Sequence, residues 1–114
     1  MSVTIPKSFK LLNRTWKVKV CETREVFERE AIVLGTDDLD DTLGVTSGLR
    51  NIILLNAPLA KTEECLLQMY YHELGHAFLF TVGYTDHDEQ QVDLFGGIMA
   101  QYVSTKKGEV DYGK

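Results

Sequence analysis

His72, Glu73 and His76 stand in the run Tyr70-Tyr71-His72-Glu73-Leu74-Gly75-His76-Ala77-Phe78-Leu79-Phe80, a His-Glu-x-x-His motif inside an apolar, helix-like pattern. Residues four apart on a helix lie one turn apart on the same face, so the two imidazoles can aim at a common point. Two neutral ring nitrogens so placed fit Zn2+ at roughly 2.0–2.1 Å each. Glu73 is turned about 100° round the helix axis, away from the ligand pair and towards a water on the metal. Two ligands, an open position and a carboxylate base beside the water are what a zinc hydrolase needs. No other segment of the chain names a chemistry.

A catalytic zinc takes three protein ligands and a water. Leu79 and Val82 occupy the places where a His-x-x-Gly-x-x-His continuation would need Gly and His, so the third ligand comes from another element. The following segment offers Asp86, His87, Asp88, Glu89 and Asp93. Glu89 and Asp93 are four apart, and a helix carrying them folded antiparallel over the first would return them to His72 and His76. Glu89 is the first candidate for ligand, with Asp93 accepting a hydrogen bond from the other ring nitrogen of a ligating His. Their roles can be exchanged, and His87 is a further candidate. An oxyanion donor is sought among Tyr70, Tyr71, Tyr84 and His87, which are close to the motif in sequence.

The elements that must position these residues follow from periodicity. Trp16, Val18 and Val20 alternate with Lys17 and Lys19 in the period of a half-buried strand, and Phe9–Leu12 with Thr15–Cys21 reads as two strands or one bent strand around Asn13-Arg14. Residues 22–34 favour a short helix. Leu43–Ser47 and Arg50–Asn56 flank Gly48 as a hairpin, and the second run is apolar enough for a strand covered on both faces. Thr62 ahead of Glu63-Glu64 caps a helix running to Thr81, closed by Gly83. Glu89–Thr105 forms a second helix. Gly96-Gly97 at its middle costs roughly 1 kcal/mol per glycine relative to Ala, which close packing of both on the His helix would explain. The fold class is therefore α+β: a small, mostly antiparallel sheet of three or four strands packed against an active-site helix and a C-terminal glutamate helix. Residues 1–105 form one domain and 106–114 a polar tail.

Composition sets limits on this reading. A chain of 114 residues, 44% apolar and 25% charged, suits one globular core. The net charge of −5 argues against binding nucleic acid through its phosphates. Lys7, Lys10, Arg14, Lys17 and Lys19 gather in the first twenty residues without an acid, as on a solvated strand face. Neither a signal-peptide core nor a membrane-spanning run is present, so a cytoplasmic location is expected, with Cys21 and Cys65 as separate reduced thiols. The acidic loop Asp37-Asp38-Leu39-Asp40-Asp41 is not an EF-hand: from Asp38, Leu43 and Leu49 fall where Gly and Glu are required.

The His-Glu-Leu-Gly-His helix, a short turn and a helix opening Glu-x-x-x-Asp resemble the gluzincin pattern, and at this length the small phage and bacterial zinc peptidases of the minigluzincin and ImmA/IrrE-like type. The resemblance covers residues 43–103. It implies a zincin-like domain, Glu89 as third ligand and Asp93 as its supporting acid. It also implies an edge strand ahead of the active-site helix, placed at Arg50–Asn56, that pairs with an extended substrate. A zinc metalloendopeptidase is expected, hydrolysing a peptide bond by water activated at Glu73, in a bacterial or phage-infected cell. Its substrate would be a peptide or protein such as a repressor or a virion component. The competing expectation is a metal-stabilised, antirepressor-like binding module with little turnover. Oligomeric state and substrate identity are not written in the residues.

Overall fold

Two faces of one small sheet organise the protein. A computed structural model describes residues 4–36, 39 and 42–108; Asp37, Asp38, Asp40 and Asp41 of the acidic loop and residues 109–114 of the tail lie outside the described residues. Four strands, β1 (Ser8–Leu11), β2 (Arg14–Cys21), β3 (Gly44–Ser47) and β4 (Ile52–Asn56), assemble in the order β1-β2-β4-β3. β1–β2 and β3–β4 pair antiparallel, whereas β2–β4 pair parallel, Val18 lying opposite Ile53. The four-stranded sheet is thus mixed, antiparallel in two of its three pairings, in keeping with a small, mostly antiparallel sheet. A parallel pair needs a crossover connection, and α1 (Arg24–Val33), capped by the Thr23 hydroxyl, is that crossover.

The same topology corrects the location of the edge strand. β4 lies between β2 and β3, with both hydrogen-bonding edges in use, so Arg50–Asn56 cannot receive a further strand. Its apolarity follows from being central: Ile53 and Leu55 face one layer, Leu54 and Ile52 the other. The edge beside the His helix is β3.

On one face, Trp16, Val18, Ile53 and Leu55 pack with Met69, Tyr70, Leu74 and Ala77 of α2 (Glu63–Thr81). On the other, Cys21 and Leu54 pack with Phe27 and Ala31 of α1. α2 is capped by the Thr62 hydroxyl and ends ahead of Gly83, whose φ of 99° is a left-handed value that glycine adopts without strain. α3 (Glu89–Thr105) is capped by Asp88, which accepts from Gln90 and Gln91. It runs antiparallel over α2, so the glutamate helix covers α2 rather than the sheet.

Gly96 explains the closeness of that approach. A Cβ there would lie 2.8 Å from the backbone nitrogen of His72 and 3.2 Å from the Gln68 carbonyl oxygen. Gly97 faces open space, so the close-packing expectation holds for Gly96 and is corrected for Gly97. Gly48 is similar: its missing side chain admits the Phe80 ring, while the left-handed residue of the β3–β4 turn is Asn51, at φ 56°. Arg14 ties the turn to both neighbours, donating to Asn51 Oδ1 (2.9 Å), to the Phe80 carbonyl (3.0 Å) and to the Gly48 carbonyl. No helix among the described residues is long and apolar enough to cross a membrane.

Candidate metal centre

α2 presents His72 and His76 on one side, and α3 meets them there with its first residue. Glu89 Oε1 lies 3.5 Å from His72 Nε2 and 3.3 Å from His76 Nε2. Ligand atoms around a tetrahedral zinc with bonds of about 2.0–2.1 Å stand roughly 3.3–3.4 Å apart. The separations of 3.3 and 3.5 Å lie at or just beyond that spacing, and all three donor atoms lie within 4.8 Å of one another. The donor set of two imidazoles and one carboxylate is one that zinc accepts. His72, His76 and Glu89 are the His/Cys/Asp/Glu group among the described residues whose donor atoms gather closely enough to hold a metal ion.

Each histidine uses its remaining nitrogen. His72 Nδ1 lies 3.4 Å from Asp93 Oδ1, one turn along α3 from Glu89. Asp93 therefore backs His72, while Glu89 faces both imidazoles. Of the other candidates, Asp88 is spent on the α3 cap and Asp86 is exposed. His87 lies against His76, with 2.7 Å between the two Nδ1 atoms, and its Nε2 donates to the Tyr84 carbonyl oxygen at 2.9 Å.

Glu73 is buried on the inner side of this cluster. Its Oε1 accepts from the Thr46 hydroxyl at 2.6 Å, and its Oε2 lies 4.0 Å from His72 Nε2. Burial pushes the Glu73 carboxyl up from its ordinary value, against the Thr46 hydrogen bond and the His72 charge, which pull it down. Burial also pushes the His76 imidazole down, opposed by the Glu89 carboxylate. A buried carboxylate that a hydroxyl holds ready to ionise has the environment of a proton acceptor.

Thr46 belongs to β3, and Gly44, two residues earlier, leaves room for Glu73: a Cβ at Gly44 would stand 2.8 Å from Glu73 Cγ. The edge strand therefore lies directly along the candidate centre. Two clefts meet at Gly44, His72 and Glu73. One, of about 370 Å³, is lined by Leu43, Leu59, Cys65, Met69 and Asp93; the other, of about 440 Å³, by Thr46, His76, Phe80, His87 and Glu89. Among the described residues neither has a tyrosine in its wall. Tyr70 is buried in the core beneath α2, where burial pushes its phenol up to about 12, and Tyr71 packs against that core. Tyr84 is exposed, its backbone rather than its phenol engaged with His87.

Sequence reasoning missed Thr46, and no local signal marks it, since it reaches Glu73 across 27 residues. It also left the partner of His76 unassigned, although a third histidine two residues ahead of Glu89 was a signal of sorts. Comparison of the chain with family models, with curated proteins and with solved structures gives no match.

Proposed function

We propose that the chain is a zinc-dependent peptidase that takes its substrate as an extended segment along β3. The observation that carries this reading is a buried carboxylate, Glu73, placed beside a His72–His76–Glu89 donor set and open to a cleft along an edge strand. A structural metal site has no use for such a base. The zincin-like identity of the fold and the resemblance to minimal gluzincins belong to the same proposal.

His72 and His76, each offering Nε2, and Glu89, offering Oε1, would hold the ion. Bound there, the metal supplies a Lewis acid that polarises the scissile carbonyl and acidifies water. The free backbone groups of β3 align the substrate chain by strand pairing. Oε2 of Glu73, the oxygen not held by Thr46, takes a proton from the water whose oxygen bonds to the carbonyl carbon. It returns that proton to the amine nitrogen as the C–N bond breaks.

One observation favours the binding-module reading instead. The tyrosines considered as oxyanion donors are absent from both cleft walls, and His87 is engaged with His76 and Tyr84. The two readings separate in one experiment: metal content and hydrolysis of an unstructured peptide mixture, for wild type, Glu73→Gln and Glu89→Ala. The peptidase reading expects about one zinc per chain, retained in Glu73→Gln with hydrolysis reduced by at least roughly 10²-fold, and lost in Glu89→Ala. Wild type that binds zinc but cleaves nothing supports the module. Wild type purified without chelator and free of metal removes both.

A further inference from the structure

We propose that His87 is a positioning residue that sets which nitrogen of His76 carries hydrogen, and so directs the His76 Nε2 lone pair at the point His72 and Glu89 also face. Two hydrogen bonds make the assignment. A carbonyl oxygen only accepts, so the contact of 2.9 Å between His87 Nε2 and the Tyr84 carbonyl places the hydrogen of His87 on Nε2. A neutral imidazole has one N–H, which leaves His87 Nδ1 as an acceptor. Its partner at 2.7 Å is His76 Nδ1, and that nitrogen must donate. The single hydrogen of His76 is then committed to Nδ1. Its Nε2 faces Glu89 Oε1 at 3.3 Å. The relay thus holds the hydrogen on Nδ1 against the pull of that carboxylate and keeps the Nε2 lone pair for a cation the two would share.

An imidazole in water favours the opposite tautomer, with hydrogen on Nε2, which would block a metal at this site. The relay from His76 through His87 to the Tyr84 carbonyl reverses that preference. His87 is itself held: its ring lies 4.5 Å from that of Phe80, and 4.9 Å from that of His76 at an interplanar angle of 23°. On His72 the corresponding nitrogen, Nδ1, has the Asp93 carboxylate 3.4 Å away. The two ligand histidines are thus backed by chemically different groups, one anionic and one an imidazole. The loop 82–88 delivers one of them, and the α3 residue that follows it, Glu89, delivers the third donor.

The consequence for zinc rests on the metal reading above, but the tautomer does not, and the experiment separates them. Long-range proton–nitrogen correlation spectra of 15N-histidine-labelled, chelator-treated protein at mildly alkaline pH report the hydrogen of each imidazole directly. Wild type is expected to show His76 with hydrogen on Nδ1 and His87 with hydrogen on Nε2. In His87→Gln the side-chain oxygen can still accept from His76 Nδ1, so the tautomer stays. In His87→Phe it reverts to Nε2–H, and zinc affinity measured by chelator competition falls by roughly 10–100-fold, while His87→Gln remains close to wild type. Wild-type His76 carrying its hydrogen on Nε2 overturns the proposal whatever the variants do. So does a His76 tautomer that is unmoved in His87→Phe. Wild type with the expected tautomer and no zinc affinity supports the relay and overturns the metal reading alone.

Discussion

Glu73 and Thr46 form the contact in which side-chain chemistry is tuned across the greatest sequence distance at this site. Thr46 donates to Oε1 and favours the ionised carboxylate, against burial, which favours the neutral acid. Thr46→Val removes the donor and keeps the shape, so Glu73 becomes harder to ionise. If the chain is the peptidase proposed above, the acid limb of its pH–rate profile should move to higher pH, with activity recovered in more alkaline buffer and zinc content unchanged. A profile that keeps its position while activity falls at every pH would count against Glu73 as the proton acceptor. His72, Glu73 and His76 were legible in the sequence because their relation is local, one turn of one helix. Glu89 and Asp93 were legible because four-residue spacing survives whatever the loop between the helices does. Thr46 was not, because its role depends on which strand becomes the edge.

At the scale of elements, α2 and α3 announced themselves through caps and period, down to Thr62, Gly83 and the start at Glu89. The strands and a small, mostly antiparallel sheet were legible, but not the parallel pairing that puts β4 at its centre. Alternation in β2 and apolarity in β4 do not state that the two pair in parallel, since that contact is made across the α1 crossover. The two central glycines of α3 looked equivalent and are opposites. Gly96→Ala places a methyl group against backbone atoms of His72 and Gln68, which cannot swing aside, and should cost about 1–3 kcal/mol. On the proposed metal reading it should also weaken metal binding, because the interhelical spacing sets how far Glu89 must reach. Gly97→Ala meets nothing within 4 Å and should gain up to about 1 kcal/mol from helix propensity alone. Urea unfolding of the two variants, which should shift in opposite directions, checks both.

For the whole molecule, the candidate site is a source of instability when metal is withheld. The buried Glu73 ionises less readily in the folded chain than in the unfolded one, so stability falls as pH rises from its ordinary value of 4.5 through its raised folded value. His76 acts in the other direction: its lowered folded value makes stability fall as pH drops below 6.5. With chelator present, Glu73→Gln should therefore melt higher than wild type, and the gap should widen as pH rises from 4.5. A gain of about 1–3 kcal/mol, the scale of leaving a buried polar group short of partners, would be visible as several degrees in Tm. A constant gap across pH would place the effect in packing rather than charge.

The short edge strand has a consequence for how the protein behaves in a crowd. Unpaired strand amides that could receive a peptide would equally receive the edge of another copy, the first step of sheet-to-sheet aggregation. β3 is only four residues long and is followed at once by a turn that Arg14 pins to the end of α2. So short a template offers a foothold for one passing chain and too little for a growing stack. Lengthening β3 to improve substrate grip would be expected to lower solubility before it raised turnover.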